Sequence, residues 1–198
     1  MAVAGILLGA GEGRRFGGEK LRAELGGVSL ADLACRNFLD AGLEPVVFVG
    51  TVPISDPRVR KVAPASPSGQ MIETLRSGLA AIPEGPFAFA PADMPALTPA
   101  IVRRLARAFL ASKRRFLVPV HGGRRGHPAF AHSGWPFRDG GLSEGAREIF
   151  RAAGEDLLLF PVATGDVLFD IDTTEDLAAA RDEGSRRARL LARGDLRC

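Results

Sequence analysis

Short hydrophobic runs alternate along the chain with longer segments in which apolar residues recur every three or four positions. This alternation is typical of an α/β fold built around a mainly parallel sheet. The first run, Val3–Leu8, has no polar residue, as expected for a strand that is covered on both faces. The other predicted strands are Pro45–Gly50, Phe87–Ala90, Phe116–Val120, Ala129–Ala131, Leu157–Pro161 and Val167–Ile171.

Helical spacing and capping residues predict four helices. Gly42 provides a stop signal for the first, and Thr98 followed by Pro99 has the pattern of an N-cap and a first helical position for the third. No repeat or long linker interrupts the series, and the Gly/Pro-rich stretches fall between elements. The predicted helices are Leu30–Ala41, Met71–Ile82, Pro99–Ala111 and a segment from about Thr173 to about Leu191.

Composition places the chain among ordinary globular proteins. Of its 198 residues 46% are hydrophobic and 25% charged, which excludes disorder, collagen and coiled coil. One domain over residues 1–198 is the expectation at this length. The net charge of +3 lies in a basic tail, 181–198, so residues 1–180 are neutral. A nucleic-acid partner is therefore not expected, since such binders concentrate charge on one patch.

The cysteines, the apolar first residues and the histidines indicate the cellular compartment and bear on zinc binding. Two cysteines, Cys35 and Cys198, do not form the framework of a secreted domain, so a cytoplasmic location is expected. The apolar start lacks the basic region of a signal peptide and is too short for a membrane span, so no membrane association is expected. The three histidines have no zinc-ligand spacing.

The segment Leu7–Lys20 carries the strongest chemical signal. Five glycines and three cations follow directly on the first predicted strand. Glycine lets consecutive backbone N–H groups approach phosphate oxygens, and the cations neutralise their charge. The spacing matches neither a P-loop nor the glycine pattern of a dinucleotide-binding fold, which disfavours a hydride-transferring enzyme.

Carboxylates stand at two predicted strand ends. Asp93 lies between Pro91 and Pro95, which stiffen its loop, and Asp170 and Asp172 close the last predicted strand. Two carboxylates from separate strand ends are suited to hold Mg²⁺ against triphosphate oxygens. For the following residues, Thr173, Glu175 and Asp176, helix capping is the preferred interpretation.

Four motifs in order along the chain resemble the molybdenum-cofactor nucleotidyltransferase family, in the MobA-like group of NTP transferases. The resemblance covers nearly the whole chain and implies a three-layer αβα, Rossmann-like nucleotidyltransferase fold. It also implies transfer of NMP from an NTP to an acceptor, with Mg²⁺ as cofactor and pyrophosphate as product. The motifs are Leu8–Gly17 with Lys20, Ala92–Pro95, Gly126–Phe130 and Asp170–Leu177.

The resemblance also implies roles for individual residues. Arg15, Lys20 and Asp93 are the expected catalytic residues, and Asp93 and Asp172 the expected metal ligands. The acceptor is expected to be of molybdopterin type, and a recipient molybdoenzyme or its chaperone is a further expected partner. The expected nucleotide-binding residues are Leu8, Gly9, Ala10, Gly11, Gly13, Gln70 and Thr74; the expected acceptor-binding residues are Arg125, His127 and Arg147.

Details within the motifs indicate a branch of the family. Alanine before the last glycine of Leu8–Gly11, together with the Gly126–Phe130 motif, favours the cytidylyltransferase branch, and hence CTP over GTP. Departures include Gly9 in place of a usual alanine and Ser143 in place of an aspartate of the acceptor region. The Ser143 departure keeps one alternative open, a sugar phosphate or other small acceptor. A second alternative is a non-catalytic protein that binds the molybdenum cofactor, which the presence of Lys20 and Asp93 disfavours.

Three further assignments stay open on sequence alone. His127 either lines the acceptor pocket or packs in a loop, and Arg124 with Arg125 either binds an anionic acceptor or is a solvated pair. Trp135 and Phe137 either stack on a pterin ring or cover the core, with the core favoured.

Overall fold

The computed structural model describes residues 2–10, 16, 19–65, 70–138 and 145–182. Gly11, Gly13, Arg15, Ser143 and most of the basic tail lie outside the described residues. The strands are β1 (Ala4–Gly9), β2 (Glu24–Leu25), β3 (Val28–Ser29), β4 (Val46–Gly50), β5 (Val59–Val62), β6 (Phe87–Pro91), β7 (Phe116–His121), β8 (Arg124–Arg125), β9 (Ala129–Ala131) and β10 (Leu157–Pro161).

The central sheet has the strand order β10-β7-β9-β6-β1-β4-β5, with β8 paired to β7. The neighbours are parallel except β9, which runs antiparallel to both β6 and β7, and β8, which runs antiparallel to β7. The chain passes from β1 to β4 on one side and later returns to β6 on the other. Such a reversal opens a crevice at the carboxyl ends of the strands, here of β1 and β6.

Helices cover both faces of the sheet. They are α1 (Leu30–Asp40), α2 (Met71–Leu79), α3 (Pro99–Ser112), α4 (Trp135–Arg138) and α5 (Ala146–Ala152), and residues 174–182 are also helical. Alternate residues of β1 enter two separate cores: Leu7 packs with α1 and α3, whereas Ile6 and Leu8 pack with α2 and α5. The result is the expected three-layer αβα arrangement. Among the described helices none is long and apolar enough to cross a membrane.

Within the described residues the predicted elements agree with the structure with two corrections. The helix predicted from about Thr173 to about Leu191 is described from residue 174 to residue 182, and its remainder lies outside the described residues. Val167–Ile171 is not a strand: Gly165–Leu168 is a 3₁₀ turn, capped by the Thr164 hydroxyl, which accepts a hydrogen bond from the Asp166 N–H. The predicted helix Met71–Ile82 ends earlier, at Leu79. The predictions for the third helix are confirmed, because Thr98 is its N-cap and Pro99 its first residue.

Candidate active site

The crevice between β1 and β6 positions the candidate catalytic groups. Leu8 and Gly9 end β1, and the Leu8 carbonyl accepts a hydrogen bond of 3.0 Å from the Ala92 N–H, directly before Asp93. Lys20 begins a short 3₁₀ helix, Lys20–Arg22, whose Leu21 is buried in the core on the α1 side. The loop after β6 and the end of the glycine-rich segment are thus fixed against the same strand end.

Lys20, Asp93 and Asp172 meet at this point. The Lys20 Nζ atom lies 2.6 Å from Asp93 Oδ2 and 3.0 Å from Asp172 Oδ1. The exposed fraction is 13% for the Lys20 side chain and 17% for Asp93, against 42% for Asp172. The ammonium is therefore enclosed by carboxylates that come from two distant parts of the sequence.

The charges of this group are coupled. Burial acts to lower the pKa of Lys20, but the hydrogen bonds and charges of Asp93 and Asp172 outweigh it and raise that pKa. Burial, followed by the charges of Asp172 and Asp93, raises the pKa of Asp170. The negative charges of Asp172 and Asp93 thus act on Asp170, an exposed residue two positions before Asp172.

The oxygen donors suit a hard divalent cation. Asp93 Oδ1 is buried and has no hydrogen-bond partner, so one carboxylate oxygen in the crevice is still available as a ligand. Within residues 2–10, 16, 19–65, 70–138 and 145–182, no three His, Cys, Asp or Glu side chains group as a preformed metal site. A metal held here would use the Asp93 and Asp172 pair, to which Lys20 is now bound.

The segment 165–172 connects this carboxylate site to the loop after β8. The Ile171 N–H donates to the Asp93 carbonyl at 3.0 Å, and the His127 N–H donates to the Val167 carbonyl at 2.8 Å. A Cβ on Gly126 would overlap the Val167 carbonyl oxygen, so only glycine permits this close approach. Sequence reasoning missed the connection because neither hydrogen bond belongs to a regular ladder.

Helix capping explains the residues that follow Asp172. The Thr173 hydroxyl accepts from the Asp176 N–H at 3.1 Å, and Asp176 Oδ2 accepts from the Thr173 N–H at 2.8 Å. Asp176 Oδ2 also accepts from the Asp172 N–H. This reciprocal pattern is a capping box, and the capping interpretation of Thr173 and Asp176 is confirmed. It fixes the backbone of Asp172 within the site.

His127 is a neutral imidazole in this structure. Burial, its largest cause, lowers the pKa of His127 to about 4. Its Nδ1 atom is buried without a hydrogen-bond partner, and its ring lies edge-on to Phe89 at 6.3 Å between centroids. The positive charge of Arg147 also lowers the pKa of His127, so the two side chains interact electrostatically.

We expect His127 to make the fold sensitive to acid. Its pKa of about 4 in the folded chain lies below the ordinary 6.5, so the unfolded chain binds more protons between these values. Stability is therefore full above pH 6.5 and falls as the pH is lowered towards 4, by about 2 kcal/mol at pH 5 from this group. Urea unfolding at several pH values measures how the free energy of unfolding depends on pH. In His127→Asn the loss of stability between pH 6.5 and 4 that comes from His127 should be absent. The same pH dependence in both proteins would contradict a depressed pKa for His127.

Those expected nucleotide-binding residues that the structure describes lie at the same edge of the sheet or on α2. Leu8 is buried, Gly9 closes β1, and Ala10 follows it at the crevice. Gln70 is exposed at the N-cap of α2, while the buried Thr74 hydroxyl donates to the Gln70 carbonyl. The Thr74 hydroxyl therefore makes a hydrogen bond within the helix, and its role in nucleotide binding stays a prediction.

The glycine at position 9 has a packing cause. A Cβ on Gly9 would lie 2.7 Å from Phe48 Cε2, and one on Gly50 would lie 2.7 Å from Phe48 Cε1. Gly9 and Gly50 are partners in the β1–β4 pairing, and the fully buried Phe48 ring covers both. The phenylalanine fills the space that an alanine side chain would take, which accounts for the departure from the family pattern.

The other residues that the sequence linked to an acceptor differ in exposure. Arg124 and Arg125 form β8 and are exposed at the carboxyl end of β7, and Arg147 is exposed on α5. Phe137 is fully buried, in agreement with the prediction that it covers the core, and its ring contacts Phe87, Phe89, Phe116 and Phe150. Trp135 is 76% exposed and so does not cover the core.

Trp135 also lies away from the crevice. It follows β9, whose last residue, Ala131, pairs with Phe87 and Phe116, the first residues of β6 and β7. The chain therefore leaves β9 at the amino ends of these strands, the edge opposite to Asp93. This position does not favour stacking of Trp135 on a ligand bound in the crevice.

Comparison with known families identifies this arrangement. The model of the MobA-like NTP transferase domain matches residues 5–151. The chain belongs to the MobA-like NTP transferase family. Membership makes it a nucleotidyltransferase that uses a nucleoside triphosphate. No curated protein sequence is significantly similar to this MobA-like chain.

Solved structures share the MobA-like fold over nearly their full lengths. A nucleotidyl transferase from Methanothermobacter thermautotrophicus, Mth528, has a TM-score of 0.78 and 22% identity, covering 94% of this chain and 99% of its own. Molybdopterin-guanine dinucleotide biosynthesis protein A from Archaeoglobus fulgidus has a TM-score of 0.64 and 21% identity, covering 94% and 100%. Rv0371c from Mycobacterium tuberculosis, in complex with manganese, has a TM-score of 0.69 and 18% identity, covering 92% and 99%.

Proposed function

We propose that this chain transfers CMP from CTP to the phosphate of a molybdopterin-type acceptor, with Mg²⁺ as cofactor and pyrophosphate as the second product. The observation that carries the proposal is the Lys20 ammonium held between Asp93 and Asp172 at the carboxyl ends of β1 and β6. A cation and two carboxylates at a strand-end crevice are the groups that a metal-bound triphosphate requires.

Asp93 and Asp172 are the residues that would hold Mg²⁺. The free Oδ1 atom of Asp93 and the manganese bound in the structurally similar Rv0371c support a divalent cation. When bound, Mg²⁺ neutralises charge on the phosphate oxygens. Lys20 has the position and the charge to bind the same triphosphate, and Arg15 is assigned to the leaving pyrophosphate by its place in the glycine-rich motif.

The transfer needs positioning more than proton chemistry. An oxygen of the acceptor phosphate attacks the α-phosphorus of CTP, a new P–O bond forms, and the bond to the β-phosphate oxygen breaks with release of pyrophosphate. Because the attacking phosphate is already ionised, no side chain has to remove a proton. His127 is neutral and near the crevice, so it suits hydrogen bonding to the acceptor rather than charge neutralisation.

Cations beyond the carboxylate site support an anionic acceptor. Arg125 on β8 and Arg147 on α5 are exposed, and Arg147 acts electrostatically on His127. The name of the Archaeoglobus fulgidus structure, which concerns molybdopterin-guanine dinucleotide biosynthesis, supports a molybdopterin-type acceptor. The choice of CTP depends on the Ala10–Gly11 dipeptide and the Gly126–Phe130 motif.

A transfer assay tests the proposal. The protein, Mg²⁺ and molybdopterin cofactor are mixed with each of the four nucleoside triphosphates, and pyrophosphate and the dinucleotide product are quantified. We expect product with CTP above all. Nucleotide binding without pyrophosphate release from any triphosphate would overturn the catalytic claim and favour a cofactor-binding accessory role. Release only with a sugar phosphate would retain the activity and replace the acceptor.

A further inference from the structure

Lys20 occupies the place that the proposed function gives to a metal. Its ammonium contacts one oxygen of Asp93 and one of Asp172, at 2.6 and 3.0 Å, and the side chain is only 13% exposed. Lysine is scarce in this chain, where only three of the 26 basic residues are lysines. An ammonium, unlike a guanidinium, is a compact point charge that can fill a cation position between two carboxylates.

The ammonium and a divalent cation compete for the same oxygens. A cation bound by both carboxylates would lie within a few ångströms of Nζ, and like charges at such range in partly buried surroundings repel strongly. Asp93 Oδ1 is buried without a hydrogen-bond partner, but this one oxygen cannot replace a site made by both carboxylates. Binding of the metal to both aspartates therefore requires the Lys20 ammonium to leave.

Removal of the ammonium has a cost that a triphosphate can offset. Asp93 and Asp172 are the acidic partners of Lys20 among the described residues. Without Lys20 these carboxylates would repel each other unless a cation replaced it. Triphosphate oxygens give the ammonium a new set of anionic partners and bring a compensating metal to the carboxylates.

We propose that Lys20 keeps divalent metal off the Asp93–Asp172 pair in the nucleotide-free protein, and that an incoming triphosphate draws the ammonium onto its oxygens and so opens the pair to the metal. This inference rests on the proposed function and adds the order in which nucleotide and metal bind. The nucleotide engages Lys20 first, and the metal reaches the aspartate pair with it or after it.

Manganese binding to the full chain without nucleotide tests the competition. Free Mn²⁺ is followed by its electron paramagnetic resonance signal in the wild type, in Lys20→Met and in Lys20→Met/Asp93→Asn. We expect Lys20→Met to bind Mn²⁺ at least about tenfold more tightly than the wild type, and the double variant to lose this gain. The matched control is Lys61→Met, since Lys61 donates to the Thr51 carbonyl on the exposed surface. A Kd in Lys20→Met within twofold of the wild type, or weaker, would overturn the proposal.

A second measurement needs no variant. Amine acylation followed by mass spectrometry reports separately on the three lysines, Lys20, Lys61 and Lys113. We expect Lys20 to react slowest in the free protein and to become several times more reactive at the Mn²⁺ concentration that fills the site, with Lys61 and Lys113 unchanged. A Lys20 that stays protected with Mn²⁺ bound would show that metal and ammonium coexist, against the proposal.

These measurements separate two kinds of failure. Neither involves an acceptor or pyrophosphate, so a chain that shows the competition but no transfer contradicts only the proposed function. A chain that transfers CMP but binds Mn²⁺ independently of Lys20 contradicts only the binding order.

Discussion

Asp93→Asn is expected to lower pyrophosphate release by about a thousandfold, while leaving the fold intact. The substitution removes a negative charge from the Asp93–Asp172 pair and replaces one carboxylate oxygen by an NH₂ group, which cannot bind a cation. The main-chain role of the residue is unchanged, because the Ile171 N–H bonds to the Asp93 carbonyl and not to its side chain. Steady-state pyrophosphate release with CTP and Mg²⁺ measures the loss.

Asp156→Asn is the matched control for this prediction. Asp156 directly precedes β10, at the amino ends of the parallel strands, and its exposed side chain pairs with Arg115 at 3.5 Å. We expect its activity to stay within about twofold of the wild type, since exposed ion pairs contribute little. Circular dichroism and thermal unfolding verify that both variants fold. An Asp93→Asn protein that folds and retains more than a tenth of the activity would refute a metal-ligating Asp93.

Gly9→Ala is expected to lower the free energy of unfolding by about 3 kcal/mol, although the family usually has alanine there. The new methyl group would lie 2.7 Å from Phe48 Cε2 and 3.0 Å from Leu21 Cδ1. The Phe48 ring is fully buried and pinned over Gly50 as well, so it has no room to move away. Chemical denaturation at neutral pH measures the change.

A second substitution should offset part of this loss. Phe48→Leu removes the ring atoms that the methyl group would meet, so Gly9→Ala/Phe48→Leu should be destabilised by less than the sum of the two single variants. Phe48→Leu alone leaves a small cavity and should itself be destabilised. A coupling energy of about 2 kcal/mol between the two positions is expected from the double-mutant cycle. Additive effects would show that Phe48 is not the reason for glycine at position 9.

Long and well-capped elements of this fold were predictable from the sequence. The Thr98–Pro99 cap and the apolar β1 have local causes, so the sequence pattern is sufficient. Elements defined by pairing were missed: the hairpin of β2 and β3 has only two residues in each strand, and Val59–Val62 is an edge strand with exposed Arg60 and Lys61. Val167–Ile171 has the composition of a strand, but its backbone groups bond singly to His127 and Asp93.

The sequence was sufficient to predict which residues form the candidate site, but not which of them are in contact. The sequence predicted that the cations of the glycine-rich segment and the carboxylates Asp93 and Asp172 serve one triphosphate site, and Lys20, Asp93 and Asp172 do meet. Nothing in the sequence indicates that the ammonium lies between the carboxylates, since 152 positions separate Lys20 from Asp172. The roles of Arg15, Gly11 and Gly13 stay predictions, because these residues lie outside the described part of the chain.

The two hydrogen bonds of the 165–172 segment have a consequence for redesigning this enzyme. They join the backbone of Asp93, the proposed metal ligand, to that of His127, a proposed acceptor contact. A change at Gly126 or His127 meant to admit a new acceptor would therefore disturb the carboxylates as well. The turn at Gly122–Gly123, which has left-handed backbone at both positions, lies beyond these bonds. Acceptor preference is best altered at that turn, where length and charge can vary without reaching the catalytic centre.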